Sequence, residues 1–247
     1  MKKPTVLEST DDATTIGRAF GTPVVVKGIT WLPLAELIAW AIMTWVAGFR
    51  HPGWNWRKRM ETGALTSLAI LGSEWCHNLA HAGAARLIGK PMDAMRVVAG
   101  MPLVVYYDIN DQDVAPRQHI TRALGGPLFN AAVLPFILLF RRLTHQGSVA
   151  REVTDAAAGM NLLLSTASLL PIPGIDGGPI LKWSLVDSGR SVTEADALVK
   201  RADLVVGASL GAAAGMAIKR RRKFLGAILG MFAALALAVG FGLIKEE

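Results

Sequence analysis

Six stretches of the chain are apolar for long enough to be read as membrane helices, separated by short segments rich in charge, Pro and Gly. The first, Trp31 to Phe49, is broken only by Glu36; at 1.5 Å rise per residue it crosses roughly 30 Å of hydrocarbon. The second begins near Thr62, the third runs Ala123 to Phe140, and the fourth Ala156 to Ile175. A short Ala/Gly-rich fifth, Leu204 to Ile218, and a sixth, Phe224 to Ile244, complete the set. Between the second and third, MDAMRVVAGMPLVVYY (Met92 to Tyr107) turns to Val, Met and Tyr around a Gly-Met-Pro break, the mark of two short strands. The pattern predicts an all-α polytopic membrane protein of about six transmembrane helices, with a short β-hairpin between helices 2 and 3. It reads as one domain over 1–247, with a polar N-terminal segment (1–29), a core (62–181) and a C-terminal helix pair (204–244).

Several details follow from membrane physics. Glu36 near the start of its span reads as an acid at the interface, and Trp54 and Trp56 beside Arg57, Lys58 and Arg59 as interfacial anchors in a loop. Gly207, Gly211 and Gly215, with Gly226 and Gly230, recur every four residues, a spacing that lets helices approach closely. Gly125, Gly126 and Pro127 read as a tight turn opening the third helix.

Composition agrees. Hydrophobic residues make up 52% of the chain and mean hydropathy is +0.38, too apolar for an ordinary soluble domain. The net charge of +7 raises nucleic acid as a partner, but basic residues gathered beside apolar spans are what membrane loops carry, so no nucleic-acid partner is expected. The single cysteine, Cys76, excludes an internal disulfide and, about 100° around a helix from His77, is predicted to pack. The first thirty residues hold no apolar core, so no cleavable signal peptide is expected.

The chemistry begins in ILGSEWCHNLAHAGAARLIGKP (Ile70 to Pro91). His77 and His81, at i and i+4, share a helix face and can grip one metal ion. Polar groups this costly within a span usually mark a site inside the protein. In the zinc hydrolase pattern the residue after the first histidine is a glutamate acting as general base; here it is Asn78. Glu74 shares nearly the same face, but helical side chains lean toward the N-terminus, so it is predicted to point a turn away. Asn130 in an apolar run requires hydrogen-bond partners, catalytic or interhelical. In the fourth span Pro171 and Pro173 break the helix directly before Asp176 and Gly177. Broken membrane helices line cavities or lie buried, so Asp176 is a candidate third ligand; Asp is equally a preferred helix N-cap.

Three motifs in order carry a resemblance. CHNLAHAGAARLIGKP resembles the His-Glu-x-x-His helix of the site-2 protease family of membrane-embedded zinc metalloproteases, GGPLFN resembles its Gly-Pro-x-x-Asn segment, and LLPIPGIDGGPIL its Pro-x-x-x-Asp-Gly segment. The resemblance implies one Zn2+ per chain held by His77, His81 and Asp176, supported by Gly126, Pro127, Asn130, Pro171, Pro173 and Gly177. It implies a transmembrane segment of a client protein as partner, unwound and paired with the edge of the hairpin. It also implies a multi-pass protein of a prokaryotic cell membrane with the site toward the cytoplasm. Lys and Arg divide evenly between the two sides of the predicted topology and do not orient it, although weighting the short loops favours the opposite orientation. The chain departs from the pattern at Ser168, Gly174 and Pro179, and above all at Asn78. An amide accepts no proton at neutral pH, so general-base catalysis there is lost. The leading expectation is a pseudoprotease that binds transmembrane clients with hydrolysis impaired or lost. The alternatives are an active metalloendopeptidase using an unusual base such as Glu74, and a small transporter or channel with a His/Asp relay, whose paired broken helices in two related halves are not evident.

Overall fold

The computed structural model describes residues 7–9, 11–172 and 174–243. Among them the order is β1 (Thr14–Ala19), β2 (Thr22–Val26), α1 (Leu34–Arg50), α2 (Trp56–Leu87), β3 (Ala94–Val98), β4 (Met101–Val105), α3 (Pro116–Leu143), α4 (Val149–Thr166), a single 3-10 turn (Ala167–Leu169), α5 (Gly177–Asp187), α6 (Val192–Lys219) and α7 (Lys223–Gly240). The chain divides into two compact units, Met1–Asp108 with Gly125–Ala167, and Ile109–Leu124 with Ser168–Glu247.

The fold is mostly helical but not all-α. The expected hairpin, β3–β4, is half of a four-stranded sheet ordered β1-β2-β3-β4, with β2 parallel to β3 and the other pairs antiparallel. Its other half lies in the segment read as merely polar. Both hairpins turn on two residues of positive φ, Phe20–Gly21 (51°, 85°) and Ala99–Gly100 (51°, 86°), the arrangement whose twist matches paired strands. Glycine is required at the second turn, because a Cβ on Gly100 would lie 1.8 Å from the Glu36 carboxylate. Glu36 thus packs against the β3–β4 turn. One face of the sheet covers α2: Met92 and Met95 bury against Ala82 and Ala85, with Val24, Trp75, Leu79 and Val104 around them.

α2 is 32 residues long, roughly 48 Å. It starts at Trp56, because Asn55 caps it by accepting from the Lys58 N–H at 2.9 Å, so the Trp56–Arg59 stretch is helix rather than loop. Its buried side is polar, carrying Thr62, Thr66, Ser67, Ser73, His77, Asn78 and His81, while Leu65 and Leu68 face outward. The hydroxyls of Thr62, Thr66, Ser67 and Ser73 donate to carbonyls one turn back in the same helix, so their burial leaves no donor unmet. An apolar exterior around a polar interior inverts the soluble pattern. α1 runs against α2 through Gly63, where a Cβ would lie 2.1 Å from Thr44 Oγ1.

α3 corrects another expectation. Gly125, Gly126 and Pro127 do not open the helix but sit in its middle, since it begins at Pro116. Pro127 removes one backbone donor there. The fourth helix ends earlier than predicted, at Thr166, before Pro171 is reached. Of the six expected spans, Pro116–Leu143 and Val192–Lys219 are long and apolar enough by themselves to cross a bilayer, and the apolar stretch Leu225–Gly240 is shorter.

In the second unit α6 contains the expected fifth span, Leu204 to Ile218, and begins twelve residues ahead of it at Val192, with α5 before it. α6 begins with a capping box, Ser191 and Glu194 exchanging side-chain and backbone bonds. α6 and α7 form an antiparallel helical hairpin in which Gly207 meets Leu237, Gly240 meets Leu204, and Gly226 meets Ile218.

Candidate metal centre

The two histidines sit in the second half of α2, at the level where α3 and α4 bring their asparagines. His77 and His81 are both buried. Their Nε2 atoms approach to 3.1 Å, with the rings edge to face, 84° apart. Each ring is held from behind: His77 Nδ1 lies 2.6 Å from Asn130 Oδ1, and His81 Nδ1 accepts from the Gly126 N–H at 3.3 Å. His77 is oriented as metal-ligating imidazoles are, with Nδ1 turned to a fixed oxygen acceptor; His81 is held with the opposite polarity, its Nδ1 accepting from the backbone.

Gly126 admits this arrangement. A Cβ on it would lie 2.4 Å from His81 Nε2 and 2.5 Å from His77 Cε1, and one on Gly125 would lie 2.8 Å from Ala80 O and Ala84 Cβ. The pair of glycines therefore lets the α3 backbone pass directly over the imidazoles. Pro127, fully buried in the same turn, and Asn130, one turn further along α3, complete that wall. Gly126, Pro127 and Asn130 thus lie mid-helix, on the side of α3 that faces the imidazoles.

Asn130 does not act alone. Its Nδ2 donates to Asn161 Oδ1 at 2.7 Å, and Asn161 Nδ2 donates to Ser73 Oγ at 2.8 Å and to Ala157 O at 2.9 Å. Asn161 and Ser73 were missed from sequence. Asn161 lies in an apolar stretch with the same signal as Asn130, a lone amide in a span, and Ser73 has no signal of its own.

Asn78 is buried, and its amide donates to the Glu74 carbonyl at 3.0 Å and the Glu74 carboxylate at 3.4 Å. The Glu74 carboxylate therefore lies beside the side chain at the base position, one turn before it on α2. Cys76 is exposed, which overturns its packing role: α2 presents positions 72 and 76 outward while burying 77, 78 and 81.

In the second unit, Asp176 occupies the N-cap position of α5 with helical φ and ψ (−55°, −34°) and makes no side-chain capping bond. Capping thus does not account for its carboxylate. Gly177 is required by the backbone, since a Cβ would lie 2.1 Å from Leu170 O and 2.4 Å from Leu169 O. Pro171 lies in the bend ahead of it; Pro173 lies outside the described residues.

The chemistry of the first unit fits a divalent ion of the zinc type. Two imidazoles direct Nε2 toward one point, both Nδ1 atoms are engaged elsewhere, and a missing Cβ leaves room above the rings. Holding an ion at both Nε2 atoms would require the His81 proton to move from Nε2 to Nδ1, where it would displace the 3.3 Å Gly126 contact.

No protein-family model matches the chain. It is 31% identical over 71 residues to a protein of Methanocaldococcus jannaschii named as a zinc metalloprotease, a match covering 29% of this chain and 37% of that relative's length. A solved structure, a site-2 protease from Methanocaldococcus jannaschii, superposes with a TM-score of 0.54 at 12% identity, covering 96% of this chain and 98% of that one. The resemblance drawn from three sequence motifs is thus met both by a sequence match to a zinc metalloprotease and by a structural match over nearly the whole chain: this is a protein of the site-2 protease fold.

Proposed function

We propose that the chain is a membrane-embedded metalloprotease scaffold that holds one zinc ion and binds transmembrane client segments, with hydrolysis impaired or lost. The observation that carries the reading is the facing pair of Nε2 atoms in α2, each imidazole oriented from behind by α3. In this reading Asp176 is the third ligand beside His77 and His81, as the family resemblance implies. Zinc held there supplies Lewis-acid polarisation of a carbonyl oxygen.

The remaining chemistry belongs to the chain's own residues. A base at position 78 must take a proton from the attacking water and return it to the leaving amine. The Asn78 amide nitrogen donates to Glu74, and amide groups accept no proton near neutral pH. The lost general-base step is worth roughly 10²–10⁴-fold in rate. Binding survives that loss: β4 lies at one edge of the sheet, and an extended client segment adds to such an edge by main-chain hydrogen bonds. The outward apolar side chains of α1 and α3, among them Leu37, Trp45, Phe49, Phe136 and Phe140, support a multi-pass location with six helices in a bilayer. The prokaryotic cell membrane and a cytoplasm-facing site come from the family resemblance.

One observation favours a second reading, an active peptidase. The Glu74 carboxylate in contact with Asn78 is the nearest candidate for a replacement base. The two readings separate in one experiment, purified protein incubated with Zn2+ and a transmembrane peptide library. The expected result is about one zinc per chain, lost in His77→Ala, and cleavage by Asn78→Glu but not by the wild type. Cleavage by the wild type that disappears in Glu74→Gln would reverse the assignment. Absence of zinc would leave the relay reading in its place.

A further inference from the structure

We infer that Asn161 is a positioning residue that decides which ring nitrogen of His77 carries the proton. The inference rests on the zinc reading, since its consequence is a lone pair kept at His77 Nε2 for the ion. An asparagine can be turned end for end, so its orientation must be read from partners that cannot exchange roles. Two such partners exist here, the backbone carbonyls of Ala69 and Ala157.

Ser73 Oγ donates its single hydrogen to Ala69 O at 2.8 Å, so toward Asn161 it can only accept. One end of the Asn161 amide lies 2.8 Å from that hydroxyl and 2.9 Å from Ala157 O. Both are acceptors, so this end is Nδ2, with a hydrogen for each. Asn161 Oδ1 is thereby turned to Asn130, which must meet it with Nδ2, at 2.7 Å. Asn130 Oδ1 is left facing His77 Nδ1 at 2.6 Å. Against an oxygen that can only accept, Nδ1 must carry the hydrogen, and Nε2 keeps its lone pair.

The opposite end of the chain gives the same polarity independently. The Gly126 N–H donates to His81 Nδ1, so the proton of a neutral His81 sits on Nε2, and His77 Nε2, 3.1 Å away, is its acceptor. From α3 through α2 and α4 every donor points the same way. Asn130 and Asn161 are buried, so water does not compete for these bonds, and a polarised chain in such surroundings is strengthened. Asn161 touches neither ring; it acts through Asn130.

The test is histidine-selective 15N NMR on the metal-free protein in detergent, combined with titration by Zn2+ alone. In the wild type His77 is expected to be protonated at Nδ1. In Asn161→Leu, Asn130 loses the partner that fixes its orientation and can turn its NH2 to the ring. The Nδ1–H form should no longer dominate, and zinc affinity should fall roughly 10–100-fold. Asn161→Asp is the rescue: as the buried acid it donates its proton to Ala157 O while its other oxygen accepts from Asn130 Nδ2, so the Nδ1–H form persists. Ser73→Ala should also keep it, because Ala157 O still orients Asn161. A purely structural role for Asn161 predicts the reverse ranking, with uncharged Leu tolerated better than Asp. A wild-type His77 protonated at Nε2 would overturn the inference without any variant having to fold, as would an Asn161→Leu protein that retains Nδ1–H. If the predicted tautomers appear but Zn2+ does not bind the wild type, the positioning role stands and the zinc reading fails.

Discussion

At the scale of single residues, what position 126 lacks matters as much as what positions 77 and 81 carry. Gly126 allows the α3 backbone within reach of both imidazoles, and a methyl group there would lie 2.4 Å from the atom proposed to bind metal. Gly126→Ala must therefore move a ring or the helix. The expected outcome is zinc affinity reduced at least 10-fold, on the order of what losing an orienting partner costs, with helical content unchanged by circular dichroism. Wild-type affinity in a metal titration would show that the close approach has no part in the site. Asn78 is the complementary case: where the family pattern has glutamate it offers an amide one methylene shorter, which makes hydrogen bonds but takes up no proton near neutral pH. That chemistry is legible from sequence, because protonation is a property of the side chain itself. Its contact with Glu74 was not, because helical lean gives only an average direction and the contact depends on how the two side chains settle inside α2.

At the scale of elements, α2 shows how a helix can bury polar side chains and keep them bonded. It carries the site on a buried polar stripe, with its hydroxyls bonded back to its own carbonyls, and so falls short of the apolar composition that marks Pro116–Leu143 and Val192–Lys219. The helical hairpin of α6 and α7 refines the glycine pattern. Spacing treats Gly207, Gly211 and Gly215 alike, yet a Cβ on Gly207 would lie 2.7 Å from Leu237 Cγ, whereas one on Gly215 meets nothing within 4 Å. The two alanine variants should therefore have opposite signs. Gly215→Ala gains helix propensity, about 0.5–1 kcal/mol. Gly207→Ala loses more by overpacking, about 1–3 kcal/mol. Thermal unfolding in detergent checks both, and equal shifts would mean that the glycines contribute only through backbone entropy.

At the scale of the whole molecule, a ligand that binds only the folded chain stabilises it by mass action. Zinc at a hundred times its dissociation constant should add about 2.7 kcal/mol to unfolding. The expected result is a melting temperature that rises with Zn2+, returns on chelation, and does not respond in His77→Ala. A shift that persists in that variant would place the stabilising metal elsewhere. The fold match spans nearly all of the chain at 12% identity, while the recognisable sequence match covers 71 residues. Motif chemistry is confined to a few positions, whereas packing of apolar helices tolerates wide substitution provided volume and pattern are kept.

The amino-acid sequence by itself determined the helix-rich plan, the histidine pair on one helix face, the second hairpin of the sheet and the amide at position 78, because each depends on local periodicity or on the intrinsic chemistry of a side chain. Tertiary structure alone decided the rest. The β1–β2 hairpin joins the sheet through a parallel pairing of Val24 and Val25 with Met95 and Arg96, about seventy residues apart. The Gly-Gly-Pro segment, a turn by local rules, stays helical because α3 continues across α2. The amide chain from Asn161 through Asn130 to His77 joins three helices, and its direction is set by two backbone carbonyls that no local pattern brings together. Hydrogen-bond polarity is a property of the closed network, and it exists only once the helices that supply its members have packed.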